Sequence, residues 1–186
     1  MIAAGEVASG VYGAWLLARR RPEGLNWFNA TPIGYWHSFW AALLVAPAFL
    51  VLELITGGFG EAPGLRHVAV QVISYVIDWT AFPLLMVFIA DTLNRGQHYM
   101  RYIVAYNWSA VVQMAILLPA AVMAVLFPSA PTLLLVQGIT IVLLVYRAYI
   151  AHVALEVNFG TSAGIVLLDV LLSGLVDTVG NRLTGG

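Results

Sequence analysis

The chain contains no cysteine and no lysine, and little charge of either sign: eight arginines and nine acidic residues among 186, or 9% charged. Without cysteine there is no disulfide, no thiolate nucleophile and no cysteine-ligated metal or iron–sulfur centre. Without a basic stripe there is nothing to track a phosphate backbone, so nucleic acid is excluded as a partner. A soluble domain carries about 25% charged residues, so the same scarcity speaks against an ordinary soluble enzyme and against a disordered chain. The sequence has neither H-E-x-x-H nor G-x-S-x-G. No catalytic residue, metal ligand or cofactor is therefore assigned, and no enzymatic activity is expected.

What is present is apolar length. Hydrophobic residues make up 61% of the chain and the mean hydropathy is +0.90. A membrane-crossing helix needs about 20 mostly apolar residues. Five segments qualify: 36–56, 68–93, 102–127, 132–155 and 161–179. The last is the shortest, because it contains Asp169 and ends near Asp177. Short linkers separate the spans, among them the glycine-rich 57–64 and the uncharged Pro128-Ser129-Ala130-Pro131. Such linkers predict that consecutive spans pack as antiparallel hairpins. The expected fold is all-α: a polytopic bundle of five transmembrane helices over 36–186, preceded by an interfacial segment over 1–35.

That first segment is of another kind. Val7, Val11, Trp15 and Ala18 recur at helical spacing, ahead of Arg19, Arg20 and Arg21. The pattern predicts an amphipathic helix lying on a membrane surface, or one packed on the bundle's own ends. The arginines follow the first apolar stretch, the reverse of a signal peptide, so no cleaved leader is expected. Trp27, Trp36 and Trp40 continue the segment as aromatic anchors at headgroup level. Arginine distribution sets the expected orientation. Arg19, Arg20, Arg21, Arg95 and Arg101 fall on the N-terminal side of the membrane, and Arg66 and Arg182 on the other. The N-terminus is expected in the cytoplasm and the C-terminus in the periplasm. An all-arginine basic complement resembles that of a high-GC bacterium, which makes the inner membrane the expected location.

Ionisable side chains inside a bilayer are costly and default to functional candidates. Asp78, Arg147 and Asp169 are the deepest. Arg147 precedes the end of its span by eight residues and Asp169 follows the start of the next by eight. At 1.5 Å per residue both lie about 12 Å from the shared end of one hairpin, so an ion pair is expected. Asp78 shares a helix face with Gln71 and Ser74. Gln113 sits near its depth on the next span and is its expected hydrogen-bond partner, with the carbonyl released by Pro83 as another. Asp169, Ser173 and Asp177 form a polar stripe at i, i+4 and i+8. At the N-terminal-side rim, Asp91, Arg95, His98, Arg101, His152 and Glu156 form a second cluster, expected to meet headgroups. Pro47, Pro83 and Pro119 stand near the middles of three spans, where they remove a backbone donor.

Two functions compete on this pattern. The leading expectation is a non-catalytic accessory subunit or scaffold of a membrane complex, whose partners are lipids and other membrane subunits or further copies of itself. The alternative is a small oligomeric transporter or channel, coupled to protons or ions through its midplane carboxylates.

Overall fold

The computed structural model describes residues 4–56 and 64–184. Residues 57–63, which make up nearly all of the expected glycine-rich break, lie outside the described residues. Among the described residues all regular structure is helical. Helix α1 spans Ala4–Ala18, a 3-10 turn follows at Pro22–Trp27, and α2 spans Pro32–Ser38. Then come α3 (Trp40–Thr56), α4 (Leu65–Thr92), α5 (Tyr99–Leu126), α6 (Ala130–Leu155) and α7 (Phe159–Thr184). Five stretches are long and apolar enough to cross a membrane: Pro32–Thr56, Leu65–Thr92, Gly96–Leu126, Ala130–Leu155 and Phe159–Leu183. The molecule is a multi-pass membrane bundle.

Local chemistry explains the helix ends. Thr31 caps α2 through its side chain, and Pro32 occupies the first helical position, where no donor is needed. Ser129 and Thr132 form a reciprocal capping box that starts α6 within the four-residue turn. Helices α1, α4 and α6 end in left-handed residues, Arg20, Asn94 and Glu156 at φ 58°, 56° and 56°. In each, the following N–H reaches back over a full turn: Arg21 to Leu16, Arg95 to Ala90, Val157 to His152. Helices α3, α4 and α5 continue through Pro47, Pro83 and Pro119. Helix α7 runs for 26 residues, longer than the expected fifth span. Asp169 and Asp177 had shortened that span on hydropathy alone, but Asp169 is turned into the bundle and is 1% exposed.

Helix α5 is the hub. It packs against α1, α2, α3 and α6, and carries the longest run of buried residues. The α5–α6 and α6–α7 pairs form the expected hairpins. The other two consecutive pairs do not pack closely. Helix α3 lies mainly along α5, and α4 mainly along α7. Bulky side chains hold α3 and α4 apart: Tyr75 of α4 reaches across to stack on Phe49 (centroids 4.9 Å apart) and to donate to the Ala42 carbonyl at 2.7 Å.

The N-terminal helix docks on the bundle. Gly10 faces the indole of Trp108 on α5, and Tyr146 of α6 donates to the Ala14 carbonyl at 2.6 Å. Gly13 lies against the backbone of Gly24, which folds the 3-10 turn back onto α1. Glu6 accepts from Asn29 at 3.1 Å and pairs with His37 at 2.7 Å, tying α1 to the start of the first span. Ala14 and Leu17 are fully buried, with Val7, Val11 and Ala18 partly so. Trp15 departs from the expected face and is 47% exposed. Two steps of four residues rotate a helix roughly 80° past whole turns, which carries Trp15 to the outside beside Tyr12. The outer face of α1 therefore offers aromatics, followed by exposed Arg19, Arg20 and Arg21.

The close seat at Gly10 is testable. A Cβ there would stand 2.6 Å from two atoms of a rigid, buried indole ring. Gly10→Ala is expected to lower unfolding stability by about 1–3 kcal/mol, the usual cost of overpacking. Equilibrium unfolding in mixed micelles reads this directly, and Gly5→Ala, at a position with nothing within 4 Å, should be silent.

Candidate functional site

Five helices contribute walls to a cavity of about 330 Å³. Val45 and Phe49 come from α3, Tyr75, Asp78 and Trp79 from α4, and Tyr106 and Gln113 from α5. Helix α6 adds Thr140, Leu143 and Arg147, and α7 adds Ser173. The cavity is the space between α3 and α4, closed on its far side by α5, α6 and α7. Three of the four intramembrane residues singled out from the sequence, Asp78, Gln113 and Arg147, line it. The fourth, Asp169, stands behind Arg147.

Arg147 is the organising cation. One terminal nitrogen donates to Asp169 Oδ2 at 2.7 Å, and Nε donates to Gln113 Oε1 at 2.7 Å. The other Asp169 oxygen accepts from the Tyr106 hydroxyl at 2.9 Å. The Arg147 guanidinium carbon also lies 5.7 Å from the centre of the Tyr106 ring. Gln113 is fixed in turn by donating to Ser109 at 2.8 Å, and Ser109 donates to the Tyr106 carbonyl at 2.6 Å. Every member of this network holds another, so the ion pair is well supplied with the hydrogen bonds a buried charge requires.

Asp78 is not part of it. Its Oδ1 is buried and has no hydrogen-bond partner among the described residues. Gln113 is engaged by Arg147 and Ser109 instead of serving Asp78. Pro83 accepts from Tyr99 at 3.0 Å through its own carbonyl. Asp169 and Asp177 both lie within electrostatic reach of Asp78, and Asp177 within reach of Glu53. Counted along their helices, Asp169, Asp78 and Asp177 lie about 15, 21 and 27 Å from the N-terminal-side ends of α7, α4 and α7. Carboxyl groups are thus staged across the bundle, with Ser173 of the same α7 stripe on the cavity wall.

The interfacial residues sit elsewhere. Trp27, Trp36 and Trp40 are 47%, 71% and 43% exposed, and Arg19, Arg20 and Arg21 are exposed in the turn after α1. None of the six approaches the cavity. The rim cluster forms around Glu156. Arg101 donates to its carboxylate at 2.8 Å and to the Ala154 carbonyl, and His98 stands 3.5 Å away. The hydrogen bond from Arg101, with the charge of His98 behind it, holds the Glu156 carboxyl below its usual value. His152 turns from Glu156 to the Val157 carbonyl and stacks on Phe159 at 4.1 Å. Among the described residues no three His, Asp or Glu side chains converge as a metal site.

Several participants were not singled out from the sequence. Tyr106 is the most important, and its signal was present: Tyr102 and Tyr106 stand one turn apart, facing a span with a buried acid. The Asn107–Ser38 hydrogen bond, 2.8 Å and fully buried, was also missed. The aromatic wall of Phe49, Tyr75 and Trp79 looked like ordinary span composition. No family model, characterised protein or solved structure matches this chain.

Because Asp169 is buried with both oxygens bonded, one to Arg147 and one to Tyr106, the two halves of the clasp should not be separable. Arg147→Met leaves Asp169 without its cation and is expected to cost about 3–5 kcal/mol, whereas Arg147→Met with Asp169→Leu should recover most of that loss. A double-mutant cycle by equilibrium unfolding measures the coupling. Additive losses would dissolve the clasp as a unit.

Proposed function

We propose that the protein is a small ion-coupled transporter or channel of a bacterial inner membrane, with Asp78 as its working carboxyl. The observation that carries this reading is Asp78 on the wall of an intramembrane cavity, with its buried Oδ1 given no hydrogen bond among the described residues. A carboxylate in a bilayer is retained against a solvation cost. Asp169 meets that cost with Arg147 and Tyr106, but Asp78 has a cavity instead of a partner.

The arrangement of α7 supports transport over docking. An accessory subunit would use its polar stripes to bind a neighbour. Here Asp169 is buried and Ser173 faces the cavity, and Gly180 packs its backbone against Ser74 of α4. Two of the three stripe residues, Asp169 and Ser173, are thus turned into the chain, and Asp177 is exposed. Staged carboxyls over about 12 Å of depth suit a cation or proton passing between them. The orientation proposed is N-terminus in the cytoplasm, since Arg95 and Arg101 share the end of the bundle that receives α1 and its three arginines.

Flux decides it. Purified protein in proteoliposomes, driven by a potassium diffusion potential and followed by an internal pH dye and by cation uptake, is expected to conduct above protein-free vesicles. Asp78→Asn is expected to lower that flux at least tenfold while eluting as wild type does from a sizing column. Flux equal to empty vesicles under both readouts would overturn the reading and return the accessory role to first place.

A further inference from the structure

We infer that the cavity is built for a monovalent organic cation, an ammonium with an apolar body, seated between Asp78 and the aromatic wall of α3 and α4. The inference rests on the transport reading for its physiological meaning, but its geometry stands separately.

Charge counting selects the sign. Arg147 and Asp169 cancel at 2.7 Å, so the guanidinium has no surplus for an anion. Asp78 is left over without a cation, and an entering positive charge would favour its ionised form. The pocket therefore favours one positive charge and disfavours a carboxylate or phosphate.

The wall selects the kind of cation. Next to Asp78 along α4 are Tyr75 and Trp79, whose rings stand 6.2 Å apart, and Phe49 lies 4.9 Å from Tyr75. Ring faces attract an alkylammonium, and the attraction grows when water is excluded. A bare metal ion needs a shell of oxygens, six or more for calcium or magnesium. Here the wall offers too few oxygens for such a shell: the Gln113 carbonyl is taken by Arg147 and Tyr106 is turned to Asp169, which leaves Asp78 and the single hydroxyls of Thr140 and Ser173. Size agrees as well. The cavity of about 330 Å³ equals about eleven water volumes at roughly 30 Å³ each. That is generous for an ion and suited to a molecule of similar heavy-atom count. Leu117, Leu143 and Met114 supply the apolar lining such a body needs.

The test uses the full chain in lipid nanodiscs and benzyltrimethylammonium as the probe. Its uncharged carbon isostere, neopentylbenzene, controls for greasiness, and empty nanodiscs control for partition into lipid. Isothermal titration calorimetry should show saturable binding of one ammonium per chain. Asp78→Asn should weaken it tenfold or more, and Trp79→Leu roughly threefold or more, the scale of one cation–π contact. Neopentylbenzene should neither bind saturably nor compete. Equal affinity for the two probes, or Asp78→Asn and Trp79→Leu both binding as wild type does, would overturn the assignment. The two proposals fail differently. Asp78-dependent proton or alkali flux without ammonium binding would remove the organic-cation assignment and leave transport standing. Saturable, Asp78-dependent binding without any flux would remove transport and leave a cation-binding membrane protein.

Discussion

The ion pair between Arg147 and Asp169 is the constraint around which the rest of this bundle is arranged. A guanidinium on α6 at that depth needs a carboxylate, a planar acceptor and exclusion of lipid. Asp169, Gln113 and Tyr106 supply them from α7 and α5, which fixes the relative height and rotation of three helices at once. Apolar packing alone specifies these poorly in a bilayer, because lipid tails compete equally for leucine and valine. An apolar pair of the same volume would often be as stable or more so. The charged pair adds register: sliding α7 by one residue would move Asp169 about 1.5 Å along and 100° around, away from both partners.

That clasp also determines what Asp78 can be. By pairing with Asp169, Arg147 is drawn away from the second acid on the same cavity wall. Tyr75 completes the arrangement mechanically: bonded to α3 through Ala42 and stacked on Phe49, it props α3 away from α4. The cavity is thus a consequence of side-chain size and charge pairing together. It is formed where a helix pair adjacent in sequence fails to close.

The contrast between what the sequence made legible and what it hid follows from range. Helix existence depends on local composition over about 20 residues, so all five spans could be read. Their ends moved by a few residues, because capping by Thr31 or Ser129 acts on one turn and hydropathy averages over several. The height of Arg147 against Asp169 could be counted, since a short hairpin leaves little freedom in depth. Partner choice among non-consecutive helices could not. That α3 prefers α5, that α4 prefers α7, and that Gln113 turns to Arg147 in place of Asp78 are decisions of rotation about helix axes, which depth arithmetic ignores. Trp15 shows the same limit on a smaller scale: spacing of four looks like one face until the 40° surplus per step accumulates.

The N-terminal helix packs on two of the helices that the clasp joins. Trp108 lies nine residues into α5 and Tyr146 nine from the end of α6, so α1 crosses the bundle about 14 Å from those ends. That is the level of the clasp, on a different face of α5 and α6. Its outer side carries Tyr12 and Trp15, and exposed Trp36 and Trp40 stand nearby in sequence order on the first span. Aromatics of this kind settle at a membrane interface. The helices are 26–28 residues long where they carry the clasp, about 40 Å, against a hydrocarbon core of about 30 Å. The surplus lies most simply on the side where α1 and α2 pack. Arg147 and Asp169 then sit near that edge of the hydrocarbon and Asp78 well inside it. The paired charges stand at that boundary, and Asp78 lies deeper, on the wall of the cavity.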